Sequence, residues 1–69
     1  MYKNKIRVYR KANGMKLEDM AKRVGISTGY LCHLEKGTRR NPSTKIMENI
    51  AKVLKKNVAE VFFEDDKNT

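Results

Sequence analysis

The chain has little of the material from which catalytic sites, metal sites and disulfide-bonded folds are built. Its 69 residues include one cysteine, one histidine, one proline and no tryptophan. One cysteine excludes an internal disulfide, and one Cys with one His cannot complete a zinc site. Cys32 and His33 are neighbours, so on a helix they point about 100° apart and cannot act as a nucleophile and base. We therefore predict no enzyme, no metal and no cofactor.

Long apolar segments are also absent. No run of about 18 apolar residues occurs, so the sequence predicts no membrane-spanning helix. The N-terminal stretch MYKNKIRVYRK has neither the apolar core nor the cleavage site of a signal peptide. A cytoplasmic location is therefore expected, and the lone cysteine agrees with a reducing compartment.

Positive charge is what the chain has in excess. Sixteen Lys and Arg against eight Asp and Glu give a formal charge of +8. Acidic residues cluster at the C-terminal end, so the remainder is more basic still. Such a field attracts polyanions such as nucleic acid, although a basic surface can also serve solubility alone. The length predicts one domain of modest stability, and no small-molecule effector is expected without a second domain.

The apolar residues recur at helical spacing, and no strand pattern competes. A first helix is predicted over residues 4–12 and ends at Asn13-Gly14. A fourth helix begins after Pro42, with Ser43 or Thr44 as its cap. Asn57 and Glu60 resemble a capping box before a short fifth turn. The apolar positions of these last two segments are Ile46, Met47, Ile50, Ala51 and Leu54, then Val58, Val61, Phe62 and Phe63.

Residues 17–36, LEDMAKRVGISTGYLCHLEK, predict two short helices joined by a tight turn. Gly25 suits the left-handed position after the first helix, and the Ser27 hydroxyl can cap the second. Ile26 and Leu31 are spaced for a hydrophobic staple, which would fix the angle at which the chain enters the second helix. The inward positions of the first helix are Met20, Ala21 and Val24.

The second of these helices has two different faces. Leu31, Leu34 and Glu35 fall on one side, at about 100° per residue. The opposite side carries Gly29, Cys32, His33 and Lys36. We expect the first side to pack against the domain and the second to meet a partner.

This stretch resembles the helix-turn-helix of the phage-repressor and Cro-like family, also called the xenobiotic-response-element family. The resemblance extends over roughly residues 4–63, through Gly14-Met15, Glu35-Lys36-Gly37 and Asn41-Pro42-Ser43. It implies an all-α, lambda-repressor-like bundle of five helices. The domain is then expected at residues 1–63, with its helix-turn-helix motif at 17–36 and an acidic, flexible tail at 64–69.

The resemblance assigns a base-reading role to the start and outer face of the third helix. Hydroxyls of Ser27 and Thr28 can bond a base edge or a phosphate, and the Thr28 methyl can touch thymine. His33 is expected to donate to guanine N7 or O6, the alternative being a solvated surface histidine. Gly29 has no side chain to contact a base. Either the backbone approaches DNA closely there, or the position reads nothing.

Phosphate contacts are expected around that helix. Lys16-Leu17 replaces the Thr-Gln found in many members, so Leu17 can offer only its backbone N–H, with Lys16 adding a point charge. Tyr30 is expected either to pack its ring or to bond the DNA backbone. Lys36, Arg39 and Arg40 lie where the resemblance places phosphate contacts, the alternative being ordinary solvated cations.

The resemblance also implies an ion pair between Arg10 and Glu35.

The resemblance further implies the function of the chain. A homodimer would bind an inverted-repeat operator in double-stranded DNA and regulate transcription, most simply by repression. The loop after helix three and the region of Phe62 and Phe63 are candidate dimer surfaces, with plain core packing as the alternative. A different class of function is a protein-interaction module, an antitoxin or anti-repressor on the same scaffold, for which exposed Phe62 and Phe63 would be the partner surface.

Overall fold

The described part of the chain folds into helices joined by short turns. The structure is a computed structural model and describes residues 4–38 and 42–63. Within these ranges there are five helices and no strand, which confirms the all-α prediction. They are α1 (Ile6–Ala12), α2 (Leu17–Val24), α3 (Thr28–Lys36), α4 (Thr44–Leu54) and a short π-helix that we call α5 (Ala59–Phe63).

One hydrophobic core holds the five helices together. Each helix contributes buried apolar side chains to it, and Ile46 and Met47, which the sequence also places on the apolar face of α4, are partly buried against it. Helix α2 packs against both α3 and α4, and α1 packs against α3, α4 and α5. The buried apolar side chains are Ile6, Met20, Ala21, Val24, Leu31, Leu34, Ile50, Ala51, Leu54, Val61 and Phe62.

The caps of α4 and α5 follow the chemistry expected of them. Ser43, rather than Thr44, caps α4, since its Oγ accepts a hydrogen bond from the Ile46 N–H at 3.2 Å. The capping box before α5 is complete. Asn57 N–H donates to Glu60 Oε1 at 3.0 Å, and Glu60 N–H donates to Asn57 Oδ1 at 2.8 Å. Both backbone donors are thereby satisfied at the start of the last turn.

Two expectations from the sequence need correction. Helix α1 begins at Ile6 and not at Asn4, because the Asn4 side chain accepts the Ile6 N–H at 3.0 Å and the Lys5 N–H donates to the Val61 carbonyl at 2.8 Å. Phe62 and Phe63 do not form an exposed pair: Phe62 is 4% exposed in the core, whereas Phe63 is 63% exposed. A partner surface built on both rings is therefore excluded. The expected tail, residues 64–69, lies outside the described residues.

No helix in residues 4–38 and 42–63 is long and apolar enough to cross a membrane.

Candidate nucleic-acid interface

The turn between α2 and α3 sets the direction of α3 relative to α2. Gly25 has φ +91°, a left-handed conformation that glycine adopts without the steric penalty of a Cβ atom. Its N–H and that of Ile26 both donate to the Ala21 carbonyl, at 2.8 and 3.0 Å. Ile26 then packs partly buried against the core. These contacts fix the start of α3 relative to α2.

Helix α3 separates its two faces as the sequence predicts. Leu31 and Leu34 are fully buried. Gly29, His33 and Lys36 are exposed, as is Thr28 at the start of the helix, whereas Cys32, also expected on the outer side, is partly buried. The helix therefore presents its outer side to solvent while its inner side is part of the core.

The buried ion pair ties the inner face of α3 to α1. Arg10 Nε donates to Glu35 Oε2 at 2.6 Å and Nη2 donates to Oε1 at 3.2 Å, a bidentate arrangement. The remaining terminal nitrogen, Nη1, donates to the Met15 carbonyl at 2.9 Å. The two side chains are only 11% and 7% exposed, so each charge is stabilised by the other in place of water. The pair fixes the rotation of α3 about its axis.

A second contact joins α3 to Asn4, which lies two residues before α1, and the sequence pattern did not predict it. The Asn4 side chain donates from Nδ2 to the Leu34 carbonyl at 2.8 Å while its Oδ1 accepts the Ile6 N–H. One amide thus accepts the N–H of the first residue of α1 and also donates to a carbonyl in the last turn of α3. Asn favours helix starts, but nothing in the sequence indicates a partner 30 residues away.

Ser27 has a structural role at the start of α3. Its Oγ accepts the Tyr30 N–H at 3.0 Å, the expected N-cap bond. That bond uses a lone pair of the hydroxyl oxygen and leaves its proton to donate. Ser27 and Thr28 are both exposed, so two hydroxyl groups lie together at the helix end that carries the positive pole of the dipole.

Gly29 is exposed within α3, and the fold gives no reason for a glycine there. Its φ is not positive, and a Cβ added to it would meet no described atom within 4 Å. Tyr30, next to it, is partly buried and packs against the core. The ring of Tyr30 therefore packs, as one of the two sequence expectations has it.

The start of α2 is the second place where phosphate contacts are expected. Lys16 is the N-cap residue, in an extended conformation, and supplies no side-chain hydrogen bond to the helix. The first backbone N–H groups of a helix have no partner within the helix itself. Lys16 is exposed and Leu17 is half-buried against the core. The Leu17 side chain therefore packs, and only its backbone N–H is suited to a phosphate.

The cations expected beyond α3 divide into two groups. Lys36 is exposed at the last position of α3. Arg39 and Arg40 lie outside the described residues. Within the described ranges no group of three or more His, Cys, Asp or Glu side chains is arranged to hold a metal ion.

The sequence pattern also did not predict a contact between His33 and Thr38. His33 Nδ1 lies 3.0 Å from Thr38 Oγ1, and Thr38 Oγ1 donates to the His33 carbonyl at 3.2 Å. The signal for it was the left-handed Gly37, which returns the chain over the last turn of the helix.

Comparison with known proteins places this arrangement in a family. The chain is 37% identical over 65 residues to an uncharacterised HTH-type transcriptional regulator from Methanocaldococcus jannaschii, covering 93% of this chain and 97% of the relative. It is 32% identical over 66 residues to the HTH-type transcriptional regulator SinR from Bacillus licheniformis, covering 96% of this chain. The chain spans 60% of that SinR sequence.

A solved structure has the same fold. It is described as a master regulator for biofilm formation, SinR, in complex with DNA, and it superposes with a TM-score of 0.72 at 34% identity. The match covers 77% of this chain and 84% of that one. A family model, helix-turn-helix, matches residues 6–61. The chain therefore belongs to the helix-turn-helix family, of the Cro/C1 type that its sequence indicates.

Proposed function

We propose that this chain binds double-stranded DNA and regulates transcription, with α3 as its recognition helix. The observation that carries the proposal is the division of α3 into a buried face and an exposed face, with hydroxyl groups at the start of the helix and Lys36 at its end. An α-helix fits the major groove of B-DNA, and a recognition helix reads base edges mainly from its N-terminal residues. The solved SinR structure, with the same fold, is a complex with DNA.

In this proposal the base edges are read by exposed residues of the start and outer face of α3. Thr28 and the free proton of Ser27 face the groove first, and His33 follows further along the helix. At Gly29 the absence of a side chain lets the backbone approach the DNA. These four residues, Ser27, Thr28, Gly29 and His33, are the proposed reading set.

The phosphate contacts flank that set. The N–H groups at the start of α2 and the charge of Lys16 suit one phosphate, since helix N-termini favour anions. Lys36 suits the other side of the groove, and Arg39 and Arg40, which follow it in the sequence, are the remaining proposed phosphate contacts. Tyr30 contributes by packing its ring against the core beneath these proposed phosphate contacts. These contacts position the protein and carry no sequence information by themselves.

The proposed binding unit is a homodimer on an inverted repeat. One domain offers one recognition helix, and two such helices enter successive major grooves when their centres are about 34 Å apart. Repression then follows from occupying the operator. The net charge of +8 supports fast encounter with DNA for each subunit.

The test is a salt titration of DNA binding with two charge-matched variants. Binding to a labelled duplex is measured by fluorescence anisotropy at rising salt, and log affinity is expected to fall by about 0.9 per phosphate contact for each unit of log salt. Lys36→Ala is expected to lower affinity and reduce that slope by about 1. Lys52→Ala removes the same charge from an exposed position on α4, a helix outside the proposed interface, and is expected to change neither quantity much.

Two results would contradict the proposal. An affinity that does not depend on salt would exclude phosphate contacts. Equal losses in Lys36→Ala and Lys52→Ala would mean that DNA is attracted by the overall charge and not held at α3.

A further inference from the structure

The end of α3 brings Thr38 back over the helix. Gly37 has φ +80°, and its N–H donates to the Leu34 carbonyl at 3.2 Å. The Thr38 N–H donates to the His33 carbonyl at 3.1 Å. This pair of bonds is the Schellman pattern, in which a left-handed residue reverses the chain after the helix. The Thr38 side chain is placed beside the His33 ring as a result.

Two side-chain contacts between these residues share one hydroxyl group. Thr38 Oγ1 lies 3.0 Å from His33 Nδ1 and 3.2 Å from the His33 carbonyl oxygen. A threonine hydroxyl carries a single proton, and a carbonyl oxygen can only accept. Both contacts are hydrogen bonds only if the hydroxyl donates to the carbonyl while Nδ1–H donates to the hydroxyl. The opposite assignment leaves two oxygen lone pairs facing each other at 3.2 Å.

We infer that Thr38 is a positioning residue that holds His33 as its Nδ1–H tautomer and leaves the Nε2 lone pair to accept a hydrogen bond from a partner of α3. A neutral imidazole carries one proton, and the hydrogen bonds of its two ring nitrogens decide which of them holds it. With Nδ1–H bonded to Thr38, Nε2 of the neutral ring is an acceptor.

The inference rests on the proposed function for its consequence, which is a choice of base. In the major groove, cytosine and adenine present exocyclic amino donors, N4 and N6, whereas guanine presents the acceptors O6 and N7. An accepting Nε2 therefore recognises the amino group of cytosine or adenine. This reverses the donation to guanine expected from the residue type alone, because Thr38 was not part of that argument.

The ring assignment is tested without DNA. The ¹⁵N shifts of the His33 ring, recorded by NMR on the free protein at pH 8, distinguish a protonated from an unprotonated nitrogen. Wild type and Thr38→Ser are expected to show a protonated Nδ1 and a bare Nε2. Thr38→Val removes only the hydroxyl at an exposed position outside the helix, and is expected to shift the proton toward Nε2. A wild-type ring already protonated at Nε2, or identical spectra for all three proteins, would overturn the inference.

The base choice is tested by selecting bound duplexes from a random pool. Wild type and Thr38→Ser are expected to share one position where cytosine or adenine is preferred, by about fivefold for one neutral hydrogen bond. Thr38→Val and His33→Ala are expected to lose that preference while still binding duplex DNA. A wild-type preference for guanine that disappears in His33→Ala would overturn the inference even though DNA binding holds. If wild type binds no duplex at any salt concentration, the proposed function fails and the base readout with it, while the NMR spectra decide the ring assignment independently.

Discussion

The inner and outer faces of α3 belong to the same nine residues, yet different constraints determine them. The inner face is fixed by contacts inside the chain: Leu31 and Leu34 are buried, and Glu35 is held by two hydrogen bonds from Arg10. The outer face carries Thr28, Gly29 and His33, all exposed. A change on the inner face should therefore appear as lost stability, and a change on the outer face as altered DNA binding.

The largest expected effect is on the inner face. Glu35→Gln keeps the shape of the side chain but removes the charge opposite Arg10, whose guanidinium is nearly buried. We expect the free energy of unfolding to fall by about 3–5 kcal/mol, because an unpaired buried charge is costly. Urea unfolding followed by circular dichroism measures this loss. A variant as stable as wild type would show that the pair is not needed to hold α3.

A double variant serves as the control for that prediction. Arg10→Met combined with Glu35→Leu removes both charges and leaves none stranded. Replacing a buried pair with apolar residues is often close to neutral, so the double variant should be clearly more stable than Glu35→Gln. If it is less stable, the pair contributes net stability through its hydrogen bonds, including the one to the Met15 carbonyl.

Ser27 lies at the boundary between the two faces, and two substitutions separate its roles. Ser27→Ala removes the acceptor for the Tyr30 N–H and is expected to cost about 1 kcal/mol in stability. Ser27→Asp keeps an acceptor at the N-cap and adds a negative charge that suits the helix N-terminus, so its stability should stay near that of wild type. Its affinity for a duplex, measured by anisotropy, should fall by about tenfold or more because the carboxylate meets phosphates. Unchanged affinity in Ser27→Asp would place the start of α3 away from DNA.

The sequence predicted the inner face well and the finer contacts poorly, for a physical reason. Periodic burial, the left-handed Gly25 and the Ser27 cap are local in the chain, so their residues are read directly from spacing. The bond from Asn4 to Leu34 joins residues far apart in sequence, and no local pattern contains it. Phe62 and Phe63 were equivalent in the sequence, and only the turn geometry of α5 decides that the first is buried and the second exposed.

The outer face is harder to predict because few contacts with the rest of the described residues constrain it. Thr28 and His33 are compatible with the fold as they are, and many other polar residues would be too. Only contacts with a partner would require these particular residues, so their proposed roles came from the family resemblance and not from the spacing. The contact between Thr38 and His33 is the exception: it is an intramolecular constraint on a reading residue, and it is therefore visible in the isolated chain.

Gly29 allows the smallest but most direct test of this difference between the faces. Glycine within a helix costs about 1 kcal/mol relative to alanine, and a Cβ there would contact no described atom within 4 Å. Gly29→Ala should therefore raise the free energy of unfolding by about 0.5–1 kcal/mol, measured in urea. If the glycine is present so that the backbone can approach DNA, the same variant should bind a duplex more weakly in spite of its greater stability. A variant that is more stable and binds equally well would show that the position reads nothing, and would remove Gly29 from the proposed reading set.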